Sequence, residues 1–176
     1  MPKVIVLFFG AESPAVTLAE AAAEGAKGIR FTEVDLRSGA PYQATTERRH
    51  KRLESPAQIQ EYDGAILACP AGDLPADLSA LLDELERSSP GTLTNTVFGI
   101  VCGEDTPLAT RVMRLGGILV AEPPGAVGPE VRGLRLGARV ATVAGWITHA
   151  LSHEHRHRRD EHEKDHEHHE HRHERG

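Results

Sequence analysis

Short apolar runs alternate with longer amphipathic segments along residues 1–151, which predicts strands and helices in turn. Lys3 to Phe9 is an almost continuous apolar run and predicts a strand that is buried on both faces. Similar short runs predict four further strands, at Ile29 to Val34, Gly64 to Cys69, Thr96 to Cys102 and Ile118 to Ala121. The polar stretch between Arg37 and Glu61 predicts a long loop with a little helix.

The segments between these runs predict helices. Ser13 and Pro14 are typical of a helix start, and the helix TLAEAAAEGAK follows them and ends near Gly28. Further helices are predicted at Leu74 to Arg87, Pro107 to Leu115 and Val131 to Leu151. Strands that alternate with helices of this size imply βαβ units and a parallel sheet. We therefore expect an α/β domain over residues 1–151 and a separate tail over residues 152–176.

The tail, SHEHRHRRDEHEKDHEHHEHRHERG, holds nine histidines among eight acidic and six basic residues. Imidazole is the commonest protein ligand for transition metals. Helical spacings of i, i+4, i+7 and i+11 would align several of these histidines on one face. His162, His166, His169 and His173 have this spacing, and His153 and His157 form a further i, i+4 pair. We expect Zn, Ni, Co or Cu ions to bind these six histidines. The alternative is a solvated, disordered or loosely helical tail that keeps the protein soluble.

Composition and charge argue against several classes of protein. The formal net charge of −6 argues against nonspecific binding to nucleic acid. No stretch approaches the roughly 20 apolar residues that span a bilayer, so we expect no membrane span. The first residues, MPKVIVLFFG, lack the cleavage region of a secretory signal, and two cysteines are too few for a disulfide framework. A soluble, cytoplasmic protein is expected.

Ligands of doubly wound sheets bind at the carboxyl ends of the strands, which directs attention to loops 10–17, 35–42, 70–76 and 103–107. Three segments of the chain, LFFGAESPAVTLAEAAAEGA (Leu7 to Ala26), PAQIQEYDGAILACP and LPADLSALLDEL, carry a family resemblance. The chain resembles the flavodoxin-like NAD(P)H:quinone oxidoreductases of the tryptophan-repressor-binding-protein type. The resemblance implies a three-layer, doubly wound, five-stranded parallel sheet in the order 2-1-3-4-5. It also implies FMN as cofactor, NAD(P)H and a quinone as partners, and a homo-oligomer.

The resemblance also implies a set of cofactor-binding residues. Ser13 and Thr17 would bind the FMN phosphate, and two later loops would frame the flavin ring through Ala71, Gly72, Gly103 and Thr106. These loops depart from the family pattern, because Glu12 brings a negative charge and Pro14 lacks an N–H group. The two later loops are also short and lack the flanking aromatic residue and the glycine-rich run. We therefore expect an eroded flavin site.

Two smaller features leave alternatives open. The basic cluster Arg48, Arg49, His50, Lys51 and Arg52 is a candidate for the 2′-phosphate of NADPH, and a solvated loop explains it more simply. Cys69 and Cys102 end neighbouring predicted strands, and adjacent strands lie about 4.8 Å apart. They are candidates for a redox pair or a two-thiolate metal site, although free cysteines are more often small buried apolar residues.

Three functions are compatible with these patterns. The sequence favours a flavodoxin-like domain whose flavin site is eroded and whose histidine-rich tail binds, buffers or assembles around transition metals. The alternative is an FMN-dependent NAD(P)H:quinone oxidoreductase or electron-transfer flavoprotein. A second alternative is a thiol redox or metal-sensing protein that uses Cys69 and Cys102. No catalytic residue is identified by its motif.

Overall fold

The computed structural model describes residues 1–10, 13–39, 50–70, 73–88, 91, 93–101, 108–122 and 128–173. Within these ranges, the side chains of Ser13, of Ser88 and of all residues after Glu154 are outside the description. In chain order, the elements are β1 (Lys3–Phe8), α1 (Ser13–Lys27), β2 (Glu33–Ser38), β3 (Lys51–Arg52), a 3-10 helix (Pro56–Glu61), β4 (Gly64–Ala68), α2 (Ala76–Ser88), β5 (Val97–Val101), α3 (Leu108–Arg114), β6 (Ile118–Val120) and α4 (Pro129–His173).

The strands form one parallel sheet in the order β3-β2-β1-β4-β5-β6. The five predicted strands therefore lie in the predicted order, and the parallel α/β fold is confirmed. The predicted number of strands was too low by one. The additional strand, β3, pairs with the end of β2 through only two residues, Lys51 and Arg52, and both are exposed. A two-residue edge strand of basic side chains has no apolar pattern by which the sequence could reveal it.

Two apolar cores cover the two faces of the sheet and create three layers. On one face, Ile5 and Leu7 of β1 pack with leucines of α2 and with Leu108 and Val112 of α3. On the other face, Val4 and Val6 pack with the alanine-rich side of α1 and with α4. The alternation along β1 follows from strand geometry, because successive side chains point to opposite faces. β1 is accordingly buried along its length after Lys3.

Helices α1 and α4 approach each other at the backbone through glycine. A Cβ atom placed on Gly137 would lie 1.9 Å from the carbonyl oxygen of Ala22, and one on Gly25 would lie 1.9 Å from that of Leu134. Gly133 makes a similar approach to the carbonyl oxygen of Leu18, at 2.7 Å. Any side chain at these positions would push the helices apart. The close contact fixes α1, whose first turn lies at the edge where the strands end.

The second strand begins four residues later than predicted, at Glu33 instead of Ile29. Phe31 has a φ of +62° and is 71% exposed, so the apolar residues of GIRF belong to a turn. The strand itself, EVDLRS, can be polar on one face because hydrogen bonds satisfy the charged side chains of Asp35 and Arg37 there. Local apolar patterning thus located the strand too early.

No helix in the described part of the chain is both long enough and apolar enough to cross a membrane.

Candidate functional site

The carboxyl ends of the three central strands lie side by side. β1 and β4 end in register at Phe8 and Ala68, and β4 and β5 end in register at Ala68 and Val101. The ladder continues one residue further, because the Phe9 N–H donates to the Ala68 oxygen at 2.9 Å and the Cys69 N–H to the Val101 oxygen at 3.1 Å. The chain runs from β1 to β2 on one side and later returns to β4 on the other. The loops after β1 and β4 therefore leave the sheet at the point where the strand order reverses, which is where such sheets bind ligands.

The loop after β1 turns at Gly10 and leads into α1. Gly10 has a φ of +94°, which is unfavourable for any residue with a Cβ, and a Cβ there would lie 3.7 Å from the ring of Pro70. The first turn of α1 begins at Ser13 and contains no acidic residue. The N–H groups of a first helical turn have no partner within the helix, so they attract anions. Pro14 removes one of these donors.

The predicted cofactor residues divide into two groups. Ser13 starts α1, and Thr17 follows one turn later and is partly buried, so the structure brings both to this edge. Ala71, Gly72, Gly103 and Thr106, together with Glu12, lie outside the described residues. Of the predicted cofactor residues, the structure therefore describes only Ser13 and Thr17, and their role in binding FMN stays a prediction.

Sequence reasoning missed Phe9 and Gly39 at the same edge. Phe9 is fully buried, and a Cβ on Gly39 would lie 2.2 Å from the Phe9 ring. The Gly39 N–H donates to the Phe8 oxygen at 3.0 Å, so the loop after β2 begins directly over this ring. The contact joins residues 30 positions apart, and no local pattern reveals it.

The basic cluster is only partly described. His50 lies against the Phe8 ring, with ring centroids 5.3 Å apart, and its Nε2 is 3.7 Å from the Glu20 carboxylate of α1. Lys51 and Arg52 form the exposed edge strand β3. Arg48 and Arg49 lie outside the described residues. His50 thus packs against the end of β1 and against α1, whereas Lys51 and Arg52 face solvent.

A polar cluster lies towards the opposite, amino-terminal end of the sheet. The Tyr62 hydroxyl donates to Asp35 Oδ2 at 2.5 Å, and Arg37 donates to the same oxygen at 3.2 Å. The hydrogen bond from Tyr62 lowers the pKa of Asp35, against the opposing effect of burial. Burial and the bond to Asp35 raise the pKa of Tyr62 to about 12. A cavity of about 360 Å³ beside it is lined by Lys3, Glu33, Val34, Asp35, Glu61 and Tyr62.

This cluster is structural. It ties β2 to the segment before β4, because Arg37 also donates to Gln58 of the 3-10 helix at 3.3 Å. Ligands of parallel sheets bind at the other end of the strands. We therefore place the candidate site at the carboxyl edge and treat the Asp35–Tyr62 pair as an attachment for β2.

Cys69 is the first residue after β4, and it is fully buried and disulfide-bonded. The sequence suggested a redox pair, a two-thiolate site or two free buried thiols. A free thiol at Cys69 is excluded by this bond. Cys102, the other cysteine of the chain, lies outside the described residues.

α4 continues past the end of the α/β core, from Pro129 to His173. His149 and His153 are exposed neighbours on this helix, with ring centroids 4.5 Å apart. The side chains of His157, His162, His166, His169 and His173 are outside the description. Among the side chains that are described, no group of three histidine, cysteine or acidic residues is placed to hold a metal ion. Of the six predicted metal-binding histidines, only His153 has a described side chain, so metal binding by the tail stays a prediction.

No protein-family model matches the chain. An NAD(P)H dehydrogenase (quinone) from Chromohalobacter salexigens is 33% identical over 79 residues, which cover 40% of this chain and 39% of that protein. The chain thus matches about two fifths of the length of this curated relative.

Solved structures resemble the chain over most of its length. The flavodoxin of Streptococcus pneumoniae TIGR4 has a TM-score of 0.57 at 13% identity and covers 80% of this chain and 97% of its own. Flavodoxin 1 of Bacillus cereus has a TM-score of 0.55 at 18% identity, with coverages of 80% and 97%. The azoreductase of Bacillus anthracis str. Sterne has a TM-score of 0.54 at 15% identity, with coverages of 80% and 99%. At these identities the likeness shows the fold, which is flavodoxin-like.

Proposed function

We propose that this chain is a flavin-dependent oxidoreductase that binds FMN at the carboxyl edge of its sheet and transfers electrons from NAD(P)H to a quinone. The observation that carries the proposal is the meeting of the loops after β1 and β4 at Gly10 and Pro70, where the strand order reverses. The partial match to an NAD(P)H dehydrogenase (quinone) supports the choice of donor and acceptor.

The described residues fit the phosphate of FMN. Gly10, with its φ of +94°, lets the chain turn at the sheet edge before α1 begins. The first turn of α1 contains no acidic side chain, its N–H groups have no partner within the helix, and the helix dipole favours a nearby anion by about 0.3–1 kcal/mol. Ser13 and Thr17 would add hydroxyl groups to this cradle.

The ring side of the site belongs to the loops that carry Ala71, Gly72, Gly103 and Thr106, which we propose as the residues that frame the flavin. When it is bound, FMN supplies the hydride and electron chemistry, and the protein positions it and sets the polarity around it. Glu104 and Asp105 add negative charge to the second of these loops, and Glu12 adds it to the loop between β1 and α1. This negative charge and the shortness of the two later loops would weaken FMN binding.

A pair of glycine variants tests the position of the phosphate. Gly10→Ala forces a side chain into the left-handed conformation, which costs about 1–2 kcal/mol, so we expect FMN affinity to fall about tenfold. Gly91→Ala is the matched control, because Gly91 has a similar φ of +80°, precedes β5 at the other end of the sheet, and would gain a Cβ with no described atom within 4 Å. FMN fluorescence titration measures both affinities. Equal affinities for the two variants would contradict this placement of the phosphate.

A second function, transition-metal binding by α4, is favoured by the approach of His149 and His153. An i, i+4 pair on a helix presents two imidazoles to one ion, with metal–nitrogen distances near 2 Å. We propose that His153 and His157 begin a row of sites that His162, His166, His169 and His173 extend, with Zn, Ni, Co or Cu as the ions. Binding requires neutral imidazole, so protons compete with the metal ion for these side chains.

Calorimetric titration of the full chain with Zn²⁺ tests this second function. We expect several ions per chain at neutral pH, and fewer after His162, His166, His169 and His173 are all replaced by Gln. His50→Gln is the control, because His50 packs against Phe8 and is far from α4 in sequence. An unchanged stoichiometry in the fourfold variant would refute a metal-binding role for the row.

A further inference from the structure

A hydrogen-bonded carboxylate holds α4 at the amino-terminal end of the sheet. Ile147 of α4 still packs against the core, and the Thr148 hydroxyl donates to Asp63 Oδ1 at 3.0 Å. The Lys3 backbone N–H donates to Asp63 Oδ2 at 2.8 Å. Asp63 is the residue before β4, so its carboxylate joins the starts of β1 and β4 to this turn of α4. The next residue of the helix is His149.

The rings of His149 and His153 have the separation that a shared metal ion requires. Their centroids are 4.5 Å apart, and both side chains are exposed. An imidazole centroid lies about 3.2 Å from an ion that is bound near 2 Å from a ring nitrogen. Two such rings at right angles around the ion therefore have centroids about 4.5 Å apart. The two rings need little movement to bind one ion.

We propose that His149 and His153 form a transition-metal site, and that the hydrogen bond from Thr148 to Asp63 positions this pair. The proposal rests on the metal-binding function proposed above for α4, to which it adds His149 as a ligand and Asp63 as a support. Two neutral imidazoles are ligands for Zn²⁺, Ni²⁺, Co²⁺ and Cu²⁺, and Cu²⁺ binds most tightly of these.

The support from the core acts through preorganisation. Most helical stability in proteins comes from tertiary packing, and histidine itself is a poor helix former. The bond to Asp63 supplies a tertiary contact at the turn that carries His149, so less conformational freedom is lost when the ion binds. Because such coupling is reciprocal, the ion in turn strengthens the attachment of α4 to the core.

Trp146, the single tryptophan of the chain, reports on this site. It is 69% exposed and lies three residues before His149 and seven before His153, spacings that share one face of a helix. Bound Cu²⁺ quenches the fluorescence of a nearby indole. His162 and the later histidines are about 24 Å or more further along α4, at a rise of 1.5 Å per residue. Their ions should affect Trp146 little.

A Cu²⁺ titration of the full chain at neutral pH, followed by Trp146 fluorescence, tests the metal site. We expect saturable quenching in the wild type. His149→Gln removes one of two ligands, and we expect the apparent dissociation constant to rise at least about tenfold. If His149→Gln is quenched at the same Cu²⁺ concentrations as the wild type, the pair is not a metal site.

Variants of Thr148 test the support in the same titration. Thr148→Val keeps the shape of the side chain and loses the hydroxyl, so we expect Cu²⁺ to bind about three- to tenfold more weakly, the equivalent of one hydrogen bond. Thr148→Ser restores a hydroxyl and should restore the affinity. Thr142→Val is the matched control with wild-type affinity, because Thr142 donates to the Ala138 oxygen at 2.8 Å as Thr148 does to the Ala144 oxygen at 2.9 Å.

The outcomes separate this site from the row of histidines in the tail. If Thr148→Val binds Cu²⁺ as tightly as Thr142→Val, or if Thr148→Ser does not restore the affinity, Asp63 does not position the pair. The fourfold variant of His162, His166, His169 and His173 should keep the quenching of Trp146. Failure of the row therefore changes the number of bound ions and leaves this fluorescence signal intact.

Discussion

Gly137→Ala probes the contact that holds α1 in place at the candidate site. The new Cβ would lie 1.9 Å from the Ala22 oxygen, 2.8 Å from its carbonyl carbon and 3.0 Å from its Cα. All three atoms belong to the backbone of α1, so no side chain can rotate away. Relief requires the two helices to separate by roughly 1 Å, which loosens the well-packed core beneath them.

The magnitude follows from two opposing effects. Overpacking a close contact costs about 1–3 kcal/mol, and a rigid backbone obstacle places this site at the upper end of that range. Replacing glycine by alanine inside a helix returns about 1 kcal/mol through its higher helix propensity. We therefore expect Gly137→Ala to lower the free energy of unfolding by about 2 kcal/mol, which corresponds to a fall in Tm of about 4–8 °C for a domain of this size.

Gly145→Ala, on the same helix, is the matched control. Its Cβ would meet only Pro2, at an ordinary 3.7 Å among the described atoms, so the propensity gain should stand alone. Urea unfolding followed by circular dichroism measures both variants. We expect Gly145→Ala to be as stable as the wild type or up to about 1 kcal/mol more stable. If the two variants have the same free energy of unfolding, the close approach of α1 and α4 is wrong.

Three further predictions concern hydrogen bonds and the disulfide. The pKa of Tyr62 is about 12 in the folded protein and 10 in the unfolded chain, so Tyr62 should stabilise the fold below pH 10, and this contribution should disappear as pH rises through 12. The difference in tyrosinate absorbance between the wild type and Tyr62→Phe measures the folded pKa. Arg111→Met should lower the free energy of unfolding, measured by urea titration, by about 1 kcal/mol, because Arg111 joins α3 to two carboxylates of α2. High salt should reduce the difference in this free energy between the variant and the wild type. Reducing the disulfide bond of Cys69 should lower the free energy of unfolding by about 2–4 kcal/mol, measured by urea unfolding with and without reductant.

The buried strands were the most predictable part of the fold. β4 and the part of β1 that follows Lys3 are apolar because both of their faces pack against helices. The predicted and observed bounds of these two strands differ by one residue at the carboxyl end. The prediction placed β2 four residues too early, because Ile29 and Phe31 alternate like the apolar residues of a strand. The charged residues Asp35 and Arg37 lie within the observed strand and interrupt its apolar pattern. The polarity of β2 is satisfied by Tyr62 and Gln58, which come from a distant part of the chain.

The sequence predicted the edge of the sheet at which the candidate site lies, but few of the contacts that form it. Strand order identified the loop over residues 10–17 as a ligand loop, since ligand loops follow the ends of parallel strands. Ser13 and Thr17 were implied by the family resemblance, and their role in binding FMN stays a prediction. Two contacts at this edge depend on tertiary structure, and no local sequence pattern predicts them: the packing of Gly39 on Phe9 and the approach of Gly10 to Pro70. The adjacency of β4 and β5 was predicted, and their register confirms it. The predicted approach of Cys69 to Cys102 stays a prediction, because Cys102 lies outside the described residues.

The most direct test of the proposed function is a visible-absorbance titration of the untagged full chain with FMN, followed by anaerobic addition of NADPH and then of a quinone. The proposal predicts saturable uptake of one FMN per chain, bleaching of the bound flavin by NADPH and recovery of its absorbance with the quinone. Failure of natively folded protein to take up FMN would contradict it, and would show that the flavodoxin-like fold is used here without a flavin.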